Sequence, residues 1–302
     1  MSPRLFRIGA TVARFVPRPV LFGVAHVVAV VWALRPTRAR PQVVRNLRRV
    51  RGPTYRGWPL WRDVYRTFDS YACYWVESLF LPDVEPAALD AAMTIDGWDH
   101  VVEARAAGGG VILALPHLGG WEWAGFWMAE VQKVPTSVVV ERLEPVELFE
   151  WFRELRQALG MTVIPLGPGA GTDVVVALKA NHSVCLLCDR DLDGRGVEVD
   201  FFGERTTLPA GPATLALRTR APLLPVACYF DGRHHHAQVL PPVPAERRGR
   251  LKDDVARVTQ DLAHRLEELI AAAPHQWHLL QPNWPSDRAA AEVAPPATSA
   301  IG

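Results

Sequence analysis

Residues 111–122 read VILALPHLGGWE. The run Val111–Leu115 is short, wholly apolar and stopped by Pro116, the pattern of a buried strand. Trp121–Val131 beyond it has helical apolar spacing. The order then repeats: Ser137–Val140 before a helical Pro145–Leu159, Thr162–Ile164 before a helical Asp173–Ala180, and the apolar run Val184–Cys188. Strands alternating with helices of about ten to fifteen residues make βαβ units. The sequence therefore predicts an α/β fold, a mainly parallel central sheet flanked by helices. Leu223–Phe230 and His235–Leu240 read as later strands, and the turn at Asp231–Gly232 joins them as a hairpin. Lys252–Ala273 is a strongly amphipathic helix.

The same stretch carries candidate chemistry. His117 follows the strand directly, and Glu122 falls in the first turn of the next helix. In open α/β sheets, ligands collect beyond the carboxyl ends of the strands. Gly119 and Gly120 would leave room there for backbone amides and a substrate. Cys188-Asp189-Arg190-Asp191 holds the corresponding place after the other apolar run. Two strand ends thus offer an imidazole, carboxylates and a guanidinium to one cleft. Imidazole is the side chain best suited to take a proton near neutrality. A carboxylate on its other ring nitrogen fixes the tautomer and stabilises the imidazolium. No serine or cysteine nucleophile motif lies nearby, so direct attack by a substrate hydroxyl is expected. The bland alternative for His117 is a core histidine with its hydrogen bonds satisfied.

Composition narrows the class. The chain has 302 residues, 49% of them hydrophobic and 22% charged, which excludes a disordered protein. Its length allows one large domain or two small ones. Cysteines at 73, 185, 188 and 228 are too few for a secreted disulfide framework. Reduced thiols in a cytoplasmic setting are expected.

Charge is unevenly placed. Thirteen arginines precede Asp63, the first acidic residue, although the whole chain carries only +1. Arg4, Arg7, Arg14 and Arg18 come before a 16-residue apolar run, Pro19–Leu34, and seven more from Arg35 to Arg51 follow it. A bilayer crossing takes about 20 residues, so the run is short for a span. The arginines behind it and the lack of a small-residue cleavage site argue against a signal peptide. Basic flanks suit a helix lying in the interface with guanidinium groups at phosphate level. Each basic group there is worth about 1 kcal/mol on an anionic leaflet. The expected partner is an anionic membrane surface, with the segment lying on the bilayer or crossing it. A buried helix with solvated arginines is the competing reading. The head lacks basic and aromatic interleaving, so no nucleic acid partner is expected.

Pro41–Val50 and Trp58–Phe80 also read as helices. Trp58, Trp61, Tyr65, Phe68, Tyr71 and Trp75 step by three or four residues, a stripe expected in the core, with an interfacial role as the alternative. Residues 1–90 are thus expected to form a basic, apolar, membrane-associating helical region. Residues 91–285 would form the α/β core, and 286–302, rich in alanine and proline, a disordered tail.

Several motifs are absent. There is no G-x-S-x-G elbow, no G-K-[ST] phosphate loop and no H-E-x-x-H helix. Residues 167–171 (GPGAG) lack dinucleotide spacing and read as a flexible loop. Cys185 and Cys188 sit on opposite faces of a strand and cannot present two thiolates to one ion. His234, His235 and His236 read as a solvated strand end. No metal is expected.

The segment HLGGWE (117–122) resembles the H-x4-[D/E] motif of lysophospholipid acyltransferases. Residues 188–204 (CDRDLDGRGVEVDFFGE) and 208–219 (LPAGPATLALRT) are closer to the lipid A late acyltransferase branch. Within it, ERL (141–143), RELRQALG (153–160) and WHLLQPNW (277–284) resemble the phosphatidylinositol mannoside acyltransferases. The resemblance covers residues 1–285. It implies transfer of a fatty acyl group from acyl-CoA to a mannose hydroxyl of a mannosylated phosphatidylinositol. His117 would be the general base, with Asp189 orienting it. Glu122 would complete the catalytic group, and Glu141, Arg156, Arg190, Asp191 and Glu204 would bind or shape the substrates. Position 122 holds glutamate where aspartate is commoner, and 189 holds aspartate where these mannoside enzymes carry glutamate. The shorter Asp189 must come closer to the imidazole or leave the role to Glu122, so the partner of His117 is one or the other. No cofactor beyond the acyl-CoA co-substrate is implied. The expected state is a monomer, peripheral or monotopic on the cytoplasmic face of the inner membrane. The alternatives are the same chemistry on another glycolipid or a lysophospholipid, or a catalytically inactive lipid-binding protein.

Overall fold

The computed structural model describes residues 15–35, 37–142, 145–191 and 194–293. Its strands, in chain order, are β1 (Met93–Asp96), β2 (Val111–Leu115), β3 (Thr136–Val140), β4 (Met161–Pro165), β5 (Ser183–Leu187), β6 (Val197–Phe201), β7 (Glu204–Leu208), β8 (Leu223–Asp231) and β9 (His234–Val239). Seven of them form one sheet in the order β1-β9-β8-β2-β5-β3-β4. Strands β8, β2, β5, β3 and β4 run parallel. The β8–β9 hairpin then reverses direction, and β1 pairs parallel to β9. The mainly parallel α/β fold is as expected.

The helices, in chain order, are α1 (Arg18–Leu34), α2 (Ala39–Arg51), α3 (Gly57–Phe80), α4 (Pro86–Ala91), α5 (Trp98–Ala106), α6 (Trp121–Phe126), α7 (Val146–Ala158), α8 (Ala170–Lys179), α9 (Gly211–Thr219), α10 (Leu251–Ala272) and α11 (Pro285–Val293). The alternation of side chains along each strand divides the core in two. Ile112, Ala114, Val184 and Leu186 pack against Val174 and Leu178 of α8, Ala213 and Ala216 of α9, and Val258 and Leu262 of α10. Leu113, Leu115 and Val226 face the other way, toward Val101 of α5 and Trp127 and Met128 beyond α6. Because both faces are covered, β2 is buried along its whole length, which is why it reads as an unbroken apolar run.

The helix expected over Trp121–Val131 is α6 followed by a π turn, Trp127–Val131. The β6–β7 hairpin escaped the sequence reading. Glu198 and Asp200 point to solvent, and its two-residue turn is Phe202–Gly203, with φ of 53° and 71°. A phenylalanine at positive φ is not a turn signal that a sequence advertises.

At the N-terminus α1 runs antiparallel to α3: Phe22 meets Phe80, and Trp32 meets Phe68. Ala25, Ala29 and Ala33, four apart, are the buried side of α1. Its other side leaves Val24, Val27 and Leu34 exposed. No single helix among the described residues is long and apolar enough to cross a membrane. Arg4, Arg7 and Arg14 of the basic head lie outside the described residues. The aromatic stripe of α3 is only partly core. Phe68 is buried, whereas Trp58 is 78% and Trp61 41% exposed.

The tail expected to be disordered from Ser286 begins instead with α11. Asp287 there is fully buried and accepts hydrogen bonds from Gln42 at 2.7 Å, Arg45 at 3.0 Å and Arg49 at 2.8 Å, all on α2. Residues 294–302 lie outside the described residues. Of the histidine trio, His234 is exposed and His236 partly so, as at a solvated strand end, but His235 is buried, stacked on Trp123 at 4.4 Å and paired with Glu77 of α3 at 3.0 Å.

Candidate active site

Strand register brings the two predicted strand ends together. Leu115 of β2 lies beside Leu187 of β5, and Cys188 N–H donates to the Leu115 carbonyl at 2.8 Å. His117 and Asp189 each stand two residues further on, so they face each other. His117 Nδ1 is 2.6 Å from Asp189 Oδ1. Asp189 Oδ2 accepts the His117 backbone N–H at 3.1 Å and the Trp277 indole N–H at 2.8 Å. The carboxylate is fully buried, while the imidazole is 22% exposed. Burial pushes the Asp189 carboxyl up. The His117 imidazole and these hydrogen bonds outweigh it and hold the group below the usual aspartate value. Asp189, not Glu122, is therefore the partner of His117, and it leaves Nε2 as the nitrogen available to a substrate.

Glu122 has a different partner. It is buried in the first turn of α6, where its carboxylate pairs with Arg156 of α7 and lies 3.4 Å from the Tyr74 hydroxyl. The glycines before it are not open space for a substrate. A Cβ on Gly119 would fall 2.2 Å from the Cys228 carbonyl oxygen, and one on Gly120 would fall 2.6 Å from the His235 ring. They are required by close packing, and Gly119 also by its φ of 61°.

Two cavities of about 370 Å³ each meet at His117. The first lies on one face of the sheet. Its walls are apolar: Leu113, Leu115, Val226, Ala237, Trp98, Met128, Phe152 and Met161 among others. The part-exposed Tyr71 and Trp121 form its rim beside the imidazole, and the buried Tyr74 and His278 pack against them. The second lies on the opposite face, between Val139, Leu166, Val174, Leu186 and Leu215, with Asp191 and Arg195 at its polar end. Glu141 and Arg190 line both cavities and are joined at 2.6 Å. The stretch 167–171, expected as a flexible loop, leads into α8, and its Ala170 and Gly171 wall the second cavity.

Of the predicted site residues, the structure gathers His117, Asp189, Glu122, Glu141, Arg156, Arg190 and Asp191 around these cavities. Asp191 Oδ2 also accepts the Gly196 N–H at 2.8 Å, closing the loop after β5. Glu204 is not brought to the site. It lies at the start of β7, pairs with Arg49 at 2.8 Å and lines neither cavity. Its role is to tie the hairpin to α2.

Sequence reasoning missed Trp277 and His278, which it read only as part of a family-like string. His278 is fully buried. Its Nε2 is 2.8 Å from the Ser70 hydroxyl, and its backbone N–H donates to the His117 carbonyl at 2.7 Å. Burial, with His117 adding and Asp189 opposing, pushes its imidazole down to about 3, so it is neutral near pH 7. The signal available was composition: two tryptophans, a histidine and an asparagine within eight residues are groups that need buried partners.

Among the described residues, one trio brings metal-ligating atoms within 4.8 Å of one another, namely His26, Asp69 and Cys73, on α1 and α3 away from His117. His26 Nδ1 is engaged there with Asp69 at 2.5 Å, and the Cys73 thiol is pushed up to about 12 by burial and by the carboxylates of Asp69 and Glu77. Cys185 and Cys188 are free thiols.

Residues 4–286 match the family of bacterial lipid A biosynthesis acyltransferases. A phosphatidylinositol mannoside acyltransferase of Mycobacterium tuberculosis is 42% identical over 253 residues, covering 82% of this chain and 77% of the relative. One from Mycolicibacterium smegmatis is 41% identical over 250 residues, covering 82% and 80%.

Proposed function

The chain belongs to the bacterial lipid A biosynthesis acyltransferase family, and from that premise we propose that it moves a fatty acyl group from acyl-CoA to a mannose hydroxyl of a phosphatidylinositol mannoside. The observation that carries this reading is the His117–Asp189 pair at the meeting point of two cavities. The apolar cavity suits an acyl chain, since burying each methylene is worth about 0.8 kcal/mol. The second cavity, with Arg190 and Arg195 at its polar end, suits the charged and hydroxylated portions of the substrates.

In the reaction, His117 Nε2 takes the proton of the acceptor hydroxyl as its oxygen attacks the thioester carbonyl. The tetrahedral adduct collapses, the carbon–sulfur bond breaks, and the imidazolium returns the proton to the departing thiolate. The products are the O-acyl ester and free CoA. Asp189 stabilises the imidazolium, and base catalysis of this kind contributes about 10²–10⁴-fold. Arg190, whose buried Nε has no partner among the described residues, is the cation assigned to the developing oxyanion.

The exposed apolar side of α1, the exposed Trp58 and Trp61 of α3 and the exposed Arg48 and Arg51 of α2 would rest on an anionic membrane, delivering the lipid acceptor to the rim at Tyr71 and Trp121. The test is mass spectrometry of products formed from mixed acyl-CoAs and a panel of acceptors: mannosylated phosphatidylinositols, glucosaminyl lipids and lysophospholipids. Acylation of the mannosylated lipid, lost in a folded His117→Ala variant, is expected. Full activity in that variant, preference for another acceptor, or no CoA release at all overturns the reading.

A further inference from the structure

The segment 274–284 crosses the catalytic turn as a strap. Gly119 N–H donates to the Gln276 carbonyl at 3.0 Å, and His278 N–H donates to the His117 carbonyl at 2.7 Å, so Leu118 and Trp277 form an isolated antiparallel bridge. The Gln276 side chain is fixed in turn by the backbone of Phe230 on β8, accepting from its N–H at 2.8 Å and donating to its carbonyl at 2.9 Å. Asn283 donates to the Asp189 carbonyl at 3.2 Å. Trp277 itself is 2% exposed, packed among Phe201, Phe202 and Trp284. Its indole has no freedom to swing, and its one polar atom is spent on Asp189 Oδ2.

Resting on the reading of His117 as general base, we propose that Trp277 is a positioning residue for acyl transfer: its indole N–H locks the Asp189 carboxylate so that Oδ1 faces His117, and it sets how strongly that carboxylate holds the imidazole proton. Oδ2 also takes the His117 backbone N–H at 3.1 Å; the shorter indole bond at 2.8 Å, from a closely packed ring, adds the second donor that fixes the plane of the carboxylate. The indole proton also draws charge from the carboxylate. Without it, Asp189 becomes the stronger acceptor, the imidazolium holds its proton to higher pH, and less free base is present near neutrality. The other ionisable groups facing the pair are already engaged or neutral. Arg190 is joined to Glu141, Arg156 to Glu122, His278 is neutral near pH 7, and burial pushes the Cys188 thiol up. Among the described residues, Trp277 is the one side-chain donor, other than His117 itself, on the carboxylate of Asp189.

The test replaces Trp277 in the full chain by benzothienylalanine, which keeps the shape of the indole but has sulfur in place of N–H. Trp277→Phe serves as the natural-residue counterpart. Acyl transfer is measured against pH at varied acyl-CoA. We expect kcat to fall severalfold at pH 7 and about tenfold well below the acid limb, KM to stay within about twofold, and the acid limb of the profile to rise by about one pH unit, with the rate recovering above it. A normal rate with an unmoved acid limb overturns the proposal. So does an equal loss at every pH, because lost packing lowers the amount of competent enzyme without moving a titration. A His117→Ala variant assayed alongside separates the two readings. If it is inactive while the benzothienylalanine protein behaves normally, only the role of Trp277 fails. If it is fully active, the general base itself fails.

Discussion

The Glu122 carboxylate and the Arg156 guanidinium are joined at two points inside the protein, Nε to Oε2 at 3.2 Å and NH2 to Oε1. The acid of the H-x4-E spacing thus answers to an arginine 34 residues downstream and not to the histidine that defines the motif. The pair fastens α7 to the start of α6, which carries the chain away from His117. Both groups are buried, so neither can fall back on water if the other is removed.

Glu122→Gln should therefore cost stability. Removing one partner of a buried pair leaves an uncompensated charge, a loss of about 3–5 kcal/mol. Denaturant unfolding of Glu122→Gln should show a loss at the low end of that range. The double variant Glu122→Gln, Arg156→Met should recover much of it, and equal losses in single and double variants would contradict the pairing.

Asp189→Asn keeps the size of the side chain but offers His117 Nδ1 an amide. The imidazole must then carry its proton on Nε2 or rotate away, and either outcome removes the base. CoA release with acceptor present should drop by about 10²–10⁴-fold with KM little changed.

His278 makes stability depend on pH. Its imidazole is held at about 3 in the folded chain, against an ordinary value of 6.5. Between those values the unfolded chain binds a proton that the folded chain refuses, so stability rises with pH through this window and is fully present above it. His182 and His275, lowered mainly by burial, act in the same direction. From pH 7 to pH 5 the native protein should lose about 2 kcal/mol that a His278→Gln variant does not lose. Unfolding curves at the two pH values measure it.

Ala237 lies on β9, two strands across the sheet from β2, which leads into His117, and it lines the apolar cavity beside Ile95. Ala237→Phe should fill that end and shift acyl selection toward shorter chains. Each excluded methylene is worth about 0.8 kcal/mol, roughly fourfold in competition between acyl-CoAs.

Val27 is 64% and Leu34 68% exposed on α1. Val27→Glu with Leu34→Glu should weaken co-sedimentation with anionic vesicles by at least about tenfold while leaving unfolding nearly unchanged. Binding of the parent chain should also fall with added salt, as guanidinium–phosphate attraction requires.

Much of this was legible in the residues themselves. The apolar runs at 111–115 and 184–188 and the helical spacing between them are local patterns, and steric periodicity alone makes them strands and helices. Parallel pairing of two such strands places whatever follows them at the same edge, so His117 and Asp189 met as expected. What sequence spacing could not decide was which side chain turns toward which partner. Asp189 rather than Glu122 takes the imidazole, Glu204 serves α2, the space beside Gly119 and Gly120 is filled by Cys228 and His235, and Ser286 and Asp287 join a helix anchored to Arg45 and Arg49. Each of these joins residues from about seventy to more than two hundred positions apart. Local propensity fixes the direction of a backbone over a few residues, but the partner of a buried charge is chosen only when distant segments close around it and exclude the water that would otherwise satisfy it.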